Sequence, residues 1–153
     1  MDERRCRFVN RVRFAEARDI DALVWIESSA FEASQRASRR SLRRALASPW
    51  QIVQVLERDG RVVAYTILWP YRHTWRLYSI ASDPACQGQG FGTRLLEAAV
   101  AAARAAGARW LQLEARPDRT LLGWYRQHGF VELQRLADYY APGEDAVRMR
   151  RAL

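Results

Sequence analysis

"DPACQGQGFGTRLLEAAV", residues 83–100, sets glycines at alternate positions, Gly88, Gly90 and Gly92, directly before a helix-forming run. Bare backbone at the mouth of a helix suits a phosphate, because unpaired N–H groups converge there and the helix dipole adds positive potential. Two familiar phosphate loops are excluded by the residues themselves. The dinucleotide fingerprint needs Gly where Thr93 stands, and too little chain follows for a second nucleotide-binding half. The Walker loop needs a lysine, and the chain has none. The plain alternative is a tight strand-to-helix turn with no ligand, which would need fewer unprotected amides.

Working outward, the 153 residues are enough for one domain with a real core, and a hydrophobic fraction of 49% argues for a folded chain. No apolar run approaches the roughly 18 residues of a membrane span. The opening "MDERRCRFVNRVRF" lacks an apolar signal-peptide core, so the expected location is the cytoplasm, with no membrane partner. Two cysteines, Cys6 and Cys86, cannot build a disulfide framework, and with only His73 and His128 beside them no metal centre is expected. All 25 basic residues are arginine and the formal charge is +8. That excludes a lysine Schiff base and favours an acidic ligand or partner, such as a nucleotide cofactor, an acidic peptide or RNA.

Local patterns predict an α/β chain. Residues 12–17 read as a strand and 18–31 as a helix with Asp19 and Asp21 in its first turn. Residues 38–48 read as a short helix stopped by Pro49, and 51–69 as an antiparallel pair around the Asp59-Gly60 hairpin signal. A strand over 76–82 leads into the glycine loop and a helix from about Gly90 to Ala106. Leu95, Leu96, Ala99, Val100 and Ala103 fall on one face of that helix. A strand (109–115), a helix (119–128), a strand (130–136) and a last strand from Asp145 complete a mixed, mostly antiparallel sheet with helices on both faces.

Gln87-x-x-Gly90-x-Gly92 resembles the Q/R-x-x-G-x-G/A signature of the GNAT acetyltransferases, and the likeness extends over about residues 10–153. "LEA" with "WYRQHGF" resembles the second half of that family, and "LEAR", Tyr125 and "DYYAPGEDAVRM" are similar to its RimI-type ribosomal-protein alanine N-acetyltransferases. The resemblance implies a single N-acetyltransferase domain that uses acetyl-CoA. The backbone of Ile80, Ala81 and Ser82 would pair with the pantetheine arm. Gly88, Gln89, Gly90, Phe91, Gly92 and Thr93 would hold the pyrophosphate. Glu114 would be the general base and Tyr125 the general acid. Three departures stand out: Asp118 where the RimI-type group usually has Asn, one residue fewer between Glu114 and Tyr125, and Gly88-Gln89 in place of a common arginine pair. A carboxylate would repel CoA phosphates, so Asp118 is expected to cap its helix.

Acetyl transfer to an amine needs a neutral amine, a polarised thioester and a proton for the departing thiolate. In "WLQLEA", Glu114 shares a strand face with Trp110 and Gln112, where an aromatic neighbour can make a carboxylate a better proton acceptor. The competing reading is a solvated or salt-bridged strand glutamate. Tyr125 lies on an apolar stripe with Leu121 and Leu122, so its ring can pack while its hydroxyl donates. Cys86 beside the loop has no histidine motif to activate it, and a covalent acetyl-cysteine route is rejected.

Arg36, Arg39, Arg40, Arg43 and Arg44 are spaced to cover one helix face, either a solvated surface or a guide for an acidic acceptor, with Arg39, Arg43 and Tyr139 as candidate acceptor contacts. The leading acceptor is the α-amine of a protein or peptide, which the Tyr139-Tyr140 tail favours. A small amine, an aminoacyl-tRNA bound through the arginines, and a non-catalytic CoA- or RNA-binding module are the rivals. A monomer or a homodimer fits equally.

Overall fold

The computed structural model describes residues 9–153, so Cys6 lies outside the described residues. Among the described residues, seven strands and four α-helices follow in the order β1 (Asn10–Phe14), α1 (Ile20–Ala30), α2 (Arg39–Ala47), β2 (Ile52–Arg58), β3 (Arg61–Trp69), β4 (Thr74–Ser82), α3 (Phe91–Ala105), β5 (Trp110–Ala115), α4 (Arg119–Gln127), β6 (Val131–Ala141) and β7 (Glu144–Ala152). The strands form one mixed, mostly antiparallel sheet in the order β1-β2-β3-β4-β5-β7-β6. By packing, the chain divides into two compact units. One runs to Ile67 and includes Ser79–Ala98; the other holds Leu68–Tyr78 and Ala99–Leu153.

In the first unit the hairpin between β2 and β3 turns on Asp59 (φ 51°) and Gly60 (φ 80°), the paired positive φ that a two-residue turn of matching twist demands. Ser38 caps α2, its hydroxyl accepting from the Ser41 N–H at 3.1 Å. Leu56, Val63, Ala64, Phe91 and Leu95 form a buried cluster, with Ile80 and Cys86 packed against it, so the Cys86 thiol serves as a small hydrophobe. Glu27 is a buried carboxylate with a structural assignment: it accepts from the Tyr65 hydroxyl and from the Ala37 N–H at 2.9 Å, tying α1 to β3 and to the connector before α2.

The first strand begins earlier than expected and ends at Phe14, because Asp19 closes a capping box on Glu16 and turns the chain there. Arg13 donates to Asp19 through Nη1 (2.7 Å) and Nη2 (2.8 Å), and its Nε donates to Glu57 at 2.6 Å. The Arg13 guanidinium holds the Asp19 carboxyl below the usual carboxylate range, even though burial opposes this. A depressed folded-state pKa contributes stability that is present above about pH 4, the unfolded value, and is lost as pH falls through the folded value. Asp19→Asn should therefore cost about 3 kcal/mol at neutral pH, as expected when one partner leaves a buried pair. Urea midpoints between pH 3 and 7 should slope less for the variant than for the parent; parallel slopes would remove the assignment.

In the second unit, β5 alternates Trp110, Gln112 and Glu114 on one face with buried Leu111, Leu113 and Ala115 on the other. Its parallel ladder with β4 pairs Thr74–Arg76 with Trp110–Gln112. On its other side β5 pairs antiparallel with β7, which sets Glu114 opposite Arg148 and Gln112 opposite Arg150. The strand β6 runs on to Ala141, well past the expected end at Leu136. It does so through a register shift between Leu136 and Ala141 that contains Asp138 at φ 53°. Asp138 is held there from both sides, its N–H donating to Asp145 at 3.0 Å and its carboxylate accepting from the Gly143 N–H at 2.6 Å. Such an irregularity re-aims the side chains beside it, here Tyr139 and Tyr140.

Candidate active site

The glycine loop lies in the first unit. Asp83, buried, caps a single 3-10 turn by accepting from the Ala85 N–H at 3.0 Å, and the exposed stretch Gln87–Gly90 then delivers the chain to α3. Gly88 and Gly90 have φ of 78° and 79°, and a Cβ on either would meet nothing within 4 Å. The glycines thus serve conformation and approach rather than internal packing. Among the described residues the N–H groups of Gly88, Gln89 and Gly90 find no acceptor. Phe91 is buried and anchors the first turn, Gly92 is half-buried and Thr93 is exposed. Bare amides at the start of a fifteen-residue helix are fit to receive an anion.

One cation beside this loop was not visible in the sequence. The Arg58 guanidinium reaches from the end of β2 to the Gln89 side chain. Arg61 approaches Asp83 at 3.6 Å. The loop lacks arginines of its own, but β2 supplies one across 31 residues of sequence. Upstream of the loop, Ala81 on β4 is buried, with Ile80 and Ser82 half-buried.

Glu114 lies in the second unit, with only 4% of its side chain exposed and a guanidinium on each oxygen. Arg76 Nε stands 2.9 Å from Oε2, and Arg148 Nε donates to Oε1 at 3.1 Å. The neighbours are therefore cations rather than the Trp110 ring, over which Arg150 lies at 4.0 Å instead. Arg76 is itself held by several neighbours. It donates through Nη2 to the Tyr139 hydroxyl at 2.7 Å and lies 5.0 Å from the Trp69 ring, which stacks on Tyr78 at 4.1 Å. Arg116 covers Tyr140 at 4.1 Å, and Tyr140 packs edge-on against Tyr139. Of the expected acceptor contacts, Tyr139 thus joins Glu114 through Arg76.

Tyr125, on α4 in the same unit, is buried, with edge-on contacts to Trp124 (5.1 Å) and Phe130 (5.5 Å). Burial pushes its phenol well above the ordinary tyrosine range, so the hydroxyl keeps its proton throughout the neutral range. Asp118 is the N-cap of α4, accepting from the Leu121 N–H at 2.8 Å. A separate cleft of about 480 Å³ runs between α4 and β6, lined in part by Arg119, Leu122, Arg126 and Arg135. It contains neither Glu114 nor Tyr125, and Glu132 and Asp145 already pair with two of its arginines.

The arginine face needs correction at its first member. Arg36 precedes α2, and its guanidinium donates to the carbonyls of Phe31 (2.9 Å) and Ser28 (2.8 Å) at the end of α1. There it satisfies orphan carbonyls and the negative helix end. Arg39 pairs with Asp21. Arg39, Arg40, Arg43 and Arg44 are all exposed on the face.

Residues 49–132 match the acetyltransferase (GNAT) domain family. A Bacillus subtilis (strain 168) protein that carries the provisional name ribosomal protein bS18-alanine N-acetyltransferase is 31% identical over 140 residues, which span 90% of this chain and 92% of that protein. The mycothiol acetyltransferase of Jonesia denitrificans is 30% identical over 142 residues, 85% of this chain and 45% of that protein. Among solved structures, the ribosomal-protein-S18-alanine N-acetyltransferase of Escherichia coli is similar with a TM-score of 0.85 at 26% identity, covering 94% of each chain.

Proposed function

The chain belongs to the GNAT family of acetyltransferases, and we propose that it transfers the acetyl group of acetyl-CoA to the α-amine of a protein or peptide N-terminus. The reading rests above all on the bare amides of Gly88, Gln89 and Gly90 at the start of α3, which suit the pyrophosphate of a CoA thioester. The names of the Bacillus subtilis and Escherichia coli proteins support a protein acceptor. The 153 residues act as one N-acetyltransferase domain.

In the proposed assignment, Gly88 through Thr93 hold the pyrophosphate, Arg58 adds charge beside them, and the backbone of Ile80, Ala81 and Ser82 pairs with the pantetheine arm. The reaction makes one N–C bond and breaks one C–S bond. Glu114 takes the proton of the acceptor ammonium. Oε1 already accepts from Arg148, whereas Oε2, 2.9 Å from Arg76 Nε, has no hydrogen-bond partner among the described residues, so it takes the proton directly or through a bridging water. Tyr125, kept protonated by burial, returns a proton to the departing sulfur. The exposed Arg43 and Tyr139 contact the acceptor, and Arg39 acts through its pair with Asp21.

A small-amine acceptor is the second reading, favoured by the likeness to a mycothiol acetyltransferase. Acetyl-CoA turnover against alanine-led peptides, polyamines, an amino sugar and an aminoacyl-tRNA separates the readings. Peptides should give the highest kcat/KM. Faster transfer to a small amine would replace the peptide with that class.

A further inference from the structure

The face of the sheet around Glu114 carries more positive charge than it neutralises. Glu114 is flanked by Arg76 and Arg148, and Arg150 follows Arg148 on the same face of β7, over Trp110. Next to them Arg116 approaches Glu144 only to 4.0 Å. One buried carboxylate therefore serves two guanidiniums, and their side chains remain 31% and 32% exposed. Among the described residues, both Nη groups of Arg148 lack a partner. Guanidinium N–H groups held in a fixed direction at a partly desolvated surface favour a planar anion, and the fork geometry of arginine matches a carboxylate.

The orientation is built rather than incidental. Arg76 is held by the Trp69–Tyr78 stack, the Tyr139 hydroxyl and Glu114, and Tyr139 lies within the register shift that contains Asp138. Arg148 is held by Glu114 from the neighbouring strand. Tyr78, Tyr139 and Tyr140 stay 49%, 39% and 39% exposed around these cations, an aromatic rim of the kind that binding surfaces use.

We propose that Arg148, with Arg76, binds a carboxylate of the acceptor, so that the preferred acceptor is an amine carrying an acidic group close to the amine to be acetylated. This deepens the function proposed above and rests on it. In that arrangement Glu114 positions both guanidiniums, and the acceptor's carboxylate completes the charge balance. The carboxylate belongs either to an Asp or Glu side chain next to the N-terminus or to the α-carboxylate of a free amino acid.

Paired substrates test it on the whole protein. C-terminally amidated peptides that begin with Ala and carry Glu or Gln at the second and third positions compare acid with neutral isostere. Free amino acids against their amides compare the other source. The Glu peptide should exceed the Gln peptide in kcat/KM by about tenfold, the scale of one charge-assisted hydrogen-bonded contact. The difference should appear mainly in KM and shrink as salt rises. Arg148→Met should bring the ratio close to one, and Arg148→Lys should restore part of it, because charge returns without the fork. CoA-induced thermal stabilisation of each variant confirms that it is folded, and stabilisation by the Glu peptide but not the Gln peptide gives a readout independent of turnover.

If no peptide is acetylated but amino acids outpace their amides, the peptide reading fails and the carboxylate site stands. Equal use of Glu and Gln peptides and of acids and amides, a ratio unchanged in Arg148→Met, or preference for an aminoacyl-tRNA over the Glu peptide would each overturn the proposal.

Discussion

Tyr125→Phe should lower kcat by about 10²–10⁴, the usual consequence of removing a positioned proton donor, while leaving the affinity for acetyl-CoA unchanged. The ring is buried and meets Trp124 and Phe130 edge-on, so phenylalanine keeps the packing and removes only the hydroxyl. Stability should change little. Because burial raises the phenol's pKa, the parent keeps its donor protonated across the neutral range, and its activity should not decline there through loss of that proton. A rate within a few-fold of the parent would mean that solvent protonates the sulfur and that Tyr125 only packs.

Glu114→Gln carries two effects that can be separated. As the proton acceptor, its loss should lower kcat by about 10²–10⁴ and remove from the pH profile the limb set by the base, leaving a rise that follows only amine deprotonation. As the partner of Arg76 and Arg148, its loss leaves two guanidiniums facing an amide. The cost should be about 1–2 kcal/mol, below the ~3–5 kcal/mol of a fully buried pair, since those arginines are 31% and 32% exposed. A variant that loses stability yet keeps the parent's kcat and pH profile would make Glu114 an anchor for the arginines and return the base role to water.

Whether these partners could be foreseen depended on how far along the chain they lie. The glycine loop, the hairpin at Asp59-Gly60, the apolar face of α3 and the capping role of Asp118 are set by neighbours within a turn or two, and each was legible in the sequence. Alternation in β5 likewise placed Glu114 on the face with Trp110 and Gln112. Its partners could not be read the same way. Arg148 is 34 residues away and meets Glu114 only through the β5–β7 register, and Arg76 comes from the adjoining strand β4. Arg58 reaches Gln89 across 31 residues for the same reason. Arg36 had the spacing of a helix-face residue, but Ser38 starts α2 after it and the α1 carbonyls take its guanidinium. The extension of β6 was hidden by the register shift that contains Asp138 at positive φ, where regular strand alternation is interrupted.

The central claim, that the loop before α3 holds the pyrophosphate of the acetyl donor, is tested most directly by titrating CoA and pantetheine into the parent and into Gly90→Val. Pantetheine shares the arm but lacks the pyrophosphate. Valine at a φ of 79° is strained and places a branched side chain beside the loop amides, where the phosphates must approach. The parent should bind CoA far more tightly than pantetheine. The folded variant should lose at least tenfold in CoA affinity, about 1.4 kcal/mol, and hold pantetheine as the parent does. Equal CoA affinity in a folded Gly90→Val protein would contradict the account.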